Sequence, residues 1–208
     1  MPKWRRRAEA RPEEILEAAL ETFLDKGFEA SRMEDIAARA GLSKAGVYLY
    51  FNSKHALLNA LIDAKIRPIA IEATELAKAG EADPKAAIGI VARALVTRMS
   101  DPNFVAVPRL VLGLSTQFPE IGVRYRERVI DMGRAAFEHL FTTGTRMGQF
   151  RDIDPGAAAR AFVGPLIFEA LWTHIFQGES AFKDTEKLIR NHLEILFNGI
   201  ILEKEQRA

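Results

Sequence analysis

The chain is 208 residues long, with 29 Lys+Arg against 28 Asp+Glu and a formal net charge of +1. Apolar residues make up 48% of it, enough for a packed core and far from the composition of a disordered tail. The absence of cysteine excludes a disulfide framework, a thiolate zinc site and a cysteine nucleophile, and the near-zero net charge excludes a uniformly basic nucleic-acid coat.

The charge is unevenly placed. Residues 1–11 carry Lys3, Arg5, Arg6, Arg7 and Arg11 against Glu9, a net +4 that leaves the remainder at −3. No apolar run follows these cations, so the start does not read as a secretory signal, and no uncharged apolar stretch approaches the ~18 residues that span a bilayer. A cytoplasmic protein without a membrane partner is expected. The length accommodates one or two domains.

Helical periodicity runs throughout. Ile15, Leu16, Ala19, Leu20, Phe23 and Leu24 recur at three- and four-residue spacing between Pro12 and Lys26, and Gly27 is a suitable terminator. Ser31 and Glu34 have the S-x-x-E form of a capping box opening a short helix to about Ala40. Ser43 can cap a third helix over 44–51. Asp83-Pro84, Asp101-Pro102 and Asp154-Pro155 each set an aspartate cap before a first-turn proline. Helices are expected near 12–26, 33–40, 44–51, 53–79, 84–100, 102–116, 119–147, 155–176 and 181–204: about nine, with no strand, an all-α fold. Pro68 and Pro165 fall inside helical patterns and predict kinks, either local breaks or hinges.

The stretch from Met33 to Phe51 carries the chemistry. Two short helices joined by Gly41-Leu42-Ser43 make a helix-turn-helix signature. Ala37 and Ala40 are small enough for a helix to cross closely, Gly41 supplies the bend, and Ile36, Leu42 and Val47 can fill the wedge. The first turn of the following helix holds one long cation, Lys44, and two small residues, Ala45 and Gly46, which let a helix start approach another surface. Tyr48 and Tyr50 bring hydroxyl groups, and Lys54 opens the next helix. A recognition helix reads base edges with its first residues while flanking groups hold phosphates.

With Ala18-Ala19, Phe23, Gly27-Phe28, Ile36-Ala37, Ala40-Gly41-Leu42-Ser43, Val47-Tyr48, Tyr50-Phe51, Ser53-Lys54 and Leu57-Leu58 in this order, the chain resembles the tetracycline-repressor-like (TetR/AcrR) family of bacterial transcriptional regulators. Phe118-Pro119-Glu120 with Tyr125 is similar to one version of that family's larger domain. The resemblance implies an N-terminal three-helix DNA-binding domain with a basic arm over 1–54, and a helical ligand-binding and dimerisation domain over 55–208. It places Lys44, Ala45 and Gly46 at base or groove contacts, beside the cap Ser43. Tyr48, Tyr50 and Lys54 fall at phosphate contacts, and Ser31 and Arg32 at further backbone anchors. Arg5, Arg6 and Arg7 fall in an arm that reaches an adjacent groove before the first helix. The implied partners are a pseudo-palindromic duplex operator, a second copy of the chain and a small apolar or amphipathic effector; repression is the family expectation.

In the larger domain, pockets between helices are apolar with few polar groups. Candidate lining residues are Phe104, Val107, Leu110, Leu114, Tyr125, Phe137, Phe141, Phe168 and Trp172, with Arg109, Gln117, His139 and His174 to orient a ligand. The last helix has two apolar stripes, Leu188, His192, Ile195 and Gly199 on one and Ile189, Leu193, Leu196 and Ile200 on the other. One can face the core and the other a partner. Ala158, Ala161, Phe162 and Pro165 of the preceding helix are further candidate dimer contacts. The four histidines form no H-x-x-x-H or H-E-x-x-H pattern and there is no phosphate-binding loop, so no catalytic residue, metal or cofactor is expected. An enzyme built from distant residues and a helical interaction protein indifferent to DNA are the competing readings. Salt-dependent retention on duplex DNA separates both from a regulator.

Overall fold

The computed structural model describes the backbone of residues 3–200 and the side chains of residues 11–199. Among these the chain forms nine helices and no strand. They are α1 (Lys3–Lys26), α2 (Met33–Arg39), α3 (Lys44–Tyr48), α4 (54–79), α5 (Pro84–Met99), α6 (Pro102–Leu114), α7 (119–146), α8 (Pro155–His174) and α9 (Thr185–Ile200), the last entered through a 3₁₀ turn, Ala181–Asp184. Two of these rods contain a π turn, Ile62–Ile66 in α4 and Arg126–Ile130 in α7.

The caps follow from local chemistry. Asp83 and Asp154 accept from the N–H groups of Ala86 and Ala157 at 3.2 and 2.5 Å, each followed by a first-turn proline. Asp101 accepts from the Asn103 N–H at 2.9 Å. The start of α1 differs from expectation. Pro12 lies inside the helix, which begins at Lys3, because residues 3–11 are mostly Arg, Ala and Glu, good helix formers. The backbone of the basic arm is therefore helical from Lys3 rather than preceding the first helix. The side chains of Arg5, Arg6 and Arg7 lie outside the described residues.

The kink expected at Pro68 takes the form of the π turn just before it. Proline has no N–H for the carbonyl four residues back, that of Ala64, and its ring crowds that carbonyl; a wider turn relieves both problems. Pro108 and Pro165 sit within continuous α-helix. The π turn of α7 contains no proline, and nothing in its sequence accounts for it.

The chain packs as two compact units, Met1–Arg67 with Ala106–Tyr125, and Pro68–Val105 with Arg126–Ala208. In the first, Ile15, Ala19 and Phe23 of α1 are buried, as are Ile36, Ala37, Val47 and the α4 residues Leu57, Leu58 and Leu61. Phe28 joins this core with its ring 5.0 Å from Phe23, 5.2 Å from His55 and 6.2 Å from Phe118. Each such large apolar side chain contributes about 1.5–3 kcal/mol on burial. In the second unit, Ile88, Val91 and Val96 of α5 pack with Phe137, Leu140 and Phe141 of α7, Phe162 and Leu166 of α8, and Leu196 of α9. Gly144 of α7 lets Phe150 close the core, since a Cβ there would lie 2.2 Å from the Phe150 ring.

Candidate DNA-binding surface

The turn between α2 and α3 is built by the backbone. Gly41 has φ +65°, a left-handed conformation open to glycine at little steric cost. The Leu42 N–H donates to the Ala37 carbonyl at 2.8 Å and the Gly41 N–H to that of Ala38 at 3.2 Å, the paired bonds of a Schellman termination. Ser43 is extended and its Oγ accepts from the Gly46 N–H at 3.1 Å, so α3 starts at a fixed point. Ile36 and Val47 are fully buried and Leu42 half-buried, which seats α3 on α2 by one face.

The opposite face of α3 is open. Lys44, Ala45, Tyr48 and Tyr50 are exposed. The helix ends at Tyr48 instead of running to Phe51: the Tyr50 and Phe51 N–H groups both donate to the Val47 carbonyl at 3.0 Å. Ser53 then caps α4, its Oγ accepting from the Ala56 N–H at 3.1 Å. This tight exit leaves Leu49, between the two tyrosines, 84% exposed. Sequence reasoning passed over Leu49; the signal was an apolar residue flanked by tyrosines outside the periodicity that buries Val47.

Acidic partners surround the cations of this region. Lys44 Nζ lies 2.5 Å from Glu34 Oε1 and 5.8 Å from the centre of the Tyr48 ring. The hydrogen bond from Lys44 holds the Glu34 carboxyl below its ordinary range, and Glu34 raises Lys44 in turn. Lys26 pairs with Asp35 at 2.8 Å, which, with the Arg32 N–H, lowers the Asp35 carboxyl. Arg39 reaches Asp25 at 2.5 Å and Glu21 at 3.7 Å.

Ser31 is 2% exposed, and its hydroxyl is turned inward to the carbonyls of Gly27 and Thr22, at 2.6 and 3.2 Å. It ties the chain ahead of α2 to the end of α1. The N-cap of α2 is Arg32, whose N–H donates to Asp35 at 3.0 Å, so the Ser31–Glu34 capping box does not form and Glu34 is left for Lys44. Lys54 donates to the carbonyls of Phe28 and Glu29 at 2.6 and 2.9 Å, 4.9 Å from the Phe28 ring. Its ammonium braces the chain between α1 and α2. Arg32 itself is exposed.

The ligand-lining candidates are divided between the two units. Val107, Arg109, Leu110, Gln117 and Tyr125 belong to the first unit, and Phe104, Phe137, Phe141, Phe168 and Trp172 to the second. Val107, Phe137 and Phe141 are closed into core packing, Leu110 and Phe104 are half-buried, and Arg109 and Gln117 are exposed. Burial pushes the Tyr125 hydroxyl up to about 12. Phe168 and Trp172 stand on the outer face of α8, stacked at 6.3 Å, with Phe168 59% exposed. Exposed Ala161, Gly164 and Pro165 continue that face. On α9, Ile195 is 77% exposed and Gly199 is exposed, while Leu188 and His192 are half-buried. Ala158 and Phe162, expected beside Ala161 and Pro165, are buried in the core instead. His192 Nε2 meets the Phe162 carbonyl at 2.8 Å, and burial lowers its basicity. No helix among the described residues is long and apolar enough to cross a membrane.

Comparison with known proteins agrees with this arrangement. Residues 15–61 match the family model of bacterial regulatory proteins of the tetR family, and residues 87–194 that of the C-terminal domain of AefR-like transcriptional repressors. The chain is 30% identical over 154 residues to the uncharacterised HTH-type transcriptional regulator YfiR of Bacillus subtilis, covering 73% of this chain and 74% of that one. It is 24% identical over 192 residues to the fatty acid metabolism regulator protein of the same organism, covering 90% and 94%. Among solved structures, the fatty acid degradation regulator FadR of Bacillus halodurans superposes with a TM-score of 0.71 at 19% identity, over 91% of this chain and 95% of that one. The helix-turn-helix, the larger helical segment and these relatives together identify the chain as a member of the TetR family of bacterial transcriptional regulators, which are not enzymes.

Proposed function

We propose that the chain is a repressor that binds a pseudo-palindromic operator as a homodimer and leaves it when a small apolar or amphipathic effector binds. The observation that carries this reading is the open face of α3. A helix start is fixed by Ser43 and backed by buried Val47, and it presents Lys44, Ala45 and Tyr48 outward, with Leu49 and Tyr50 of the exit turn exposed after them. A short helix supported on one side and lined with donors on the other is what major-groove reading requires. Residues 1–54 would supply the head, and 55–208 the ligand and dimer functions.

The face of α8 and α9 supports the dimer. Phe168, Trp172 and Ile195 are large apolar groups left in water by the single chain, next to the small residues Ala161, Gly164 and Gly199 that permit close helix approach. A twofold contact through this face would match the twofold symmetry of an inverted repeat. The apolar character of the effector is supported by the aromatic content of the larger unit. The relatives named as regulators of fatty acid metabolism and degradation point to acyl chains within that class. Selection of bound sequences from a random duplex pool tests the reading: an inverted repeat bound by two or four chains is expected, and recovery of no common sequence counts against it.

A further inference from the structure

We infer that Glu34 is a specificity-determining residue that acts through Lys44, withholding its charge from phosphate until a base edge can replace the carboxylate. This rests on the DNA-binding reading of α3. Glu34 stands in the first turn of α2 and Lys44 is the first residue of α3, so the 2.5 Å pair joins the two helices at the front of the head. Both side chains are about half exposed, and the Tyr48 ring lies beside the ammonium.

The consequence follows from competition. A lysine free in solvent neutralises any phosphate it meets and contributes to binding on every sequence alike. A lysine already neutralised by a carboxylate gains little by exchanging one anion for another, while the displaced carboxylate is left near the negatively charged duplex. Contact with random DNA is therefore penalised. A guanine offers Lys44 two acceptors, O6 and N7, in the major groove, and the neighbouring cytosine offers an amino donor to a carboxylate. At such a pair both groups keep partners, so the penalty falls on the wrong sequence more than on the right one. That is discrimination by an unfavourable contact with the competitor.

The test compares wild type, Glu34→Gln, Glu34→Ala, Lys44→Gln and the double variant Glu34→Gln/Lys44→Gln. Each is measured on a mixed-sequence duplex and on the duplex that wild type selects from a random pool, across a series of salt concentrations. Thermal melting checks that each variant is folded. Removing the carboxylate is expected to raise affinity for mixed-sequence DNA by about two- to fivefold. The slope of log K against log salt on that duplex steepens by about 0.9, one added phosphate, and preference for the selected duplex falls. In the Lys44→Gln background these changes vanish. An unchanged slope in both Glu34 variants, or the same change in the double variant, overturns the inference while leaving DNA binding intact. No salt-dependent binding by wild type overturns the DNA-binding reading and this inference with it.

Discussion

Two lysines on the head are chemically alike and structurally opposite. Lys44 is exposed and pairs at the surface with the Glu34 carboxylate beside the Tyr48 ring, whereas Lys54 gives protons to two main-chain carbonyls. Lys44→Ala is expected to leave the melting temperature unchanged and to cut operator affinity by about tenfold to a hundredfold where the lysine meets a guanine. Lys54→Ala is expected to lower stability by about 1–2 kcal/mol, since bonds from a charged donor to carbonyls are lost. Melting and operator titration on both variants check this; an unaltered melting temperature for Lys54→Ala contradicts the bracing role. At this scale sequence legibility followed distance along the chain. Gly41 and Ser43 act on neighbours one to five residues away, and their roles could be read directly. Lys54 acts on carbonyls 25 and 26 residues back, and only the fold brings them together. Ser31 is hidden similarly: a serine before a helix reads as a cap until Thr22 and Gly27 are seen beneath it.

Among the elements, α4 and α8 carry the informative departures. Pro68→Ala restores a missing N–H, and the π turn Ile62–Ile66 is then expected to close into regular α-helix. Slower amide hydrogen exchange over residues 62–68 checks it; unchanged exchange means the turn has another cause. Proline made an irregularity in α4 predictable, but not its form. Helix α8 is apolar all round, so periodicity could not say which side faces inward, and Phe168 and Trp172 were expected within a pocket. His192 of α9 yields a pH prediction. Burial lowers its folded-state basicity below the ordinary value of 6.5. The unfolded chain therefore takes up the proton first as pH falls. The stability His192 contributes is complete above about 6.5 and is lost below it. Between pH 8 and 5 the wild type should lose more melting temperature than His192→Gln, and equal losses contradict the assignment.

For the whole molecule, the all-helical plan, the number of helices and the position of the helix-turn-helix were legible, because each depends on periodicity and caps within one segment. Which apolar side chains face a partner was legible only as two stripes on α9; exposure of Ile195 with Phe168 now favours one surface. If that surface joins two copies, Ile195→Glu and Phe168→Glu should each shift the mass in solution from two chains toward one at micromolar concentration. Both should also weaken operator binding without touching the head. Light scattering that finds the wild type monomeric would remove the dimer from the account.

If the open face of α3 reads DNA, salt titration of the full chain altered only on that face must show it. Lys44, Tyr48 and Tyr50 are replaced together by alanine, all three being exposed. Binding to the selected duplex is followed across salt concentrations beside the wild type, with melting and solution mass as controls. Expected are an unchanged fold and mass, weaker binding to the selected duplex with loss of sequence preference, and a salt slope flatter by no more than about 0.9, since Lys44 is the one charge removed and neutral tyrosine hydroxyls release no counterions. A variant that binds the same duplex with the same affinity and slope as wild type would contradict that role of α3.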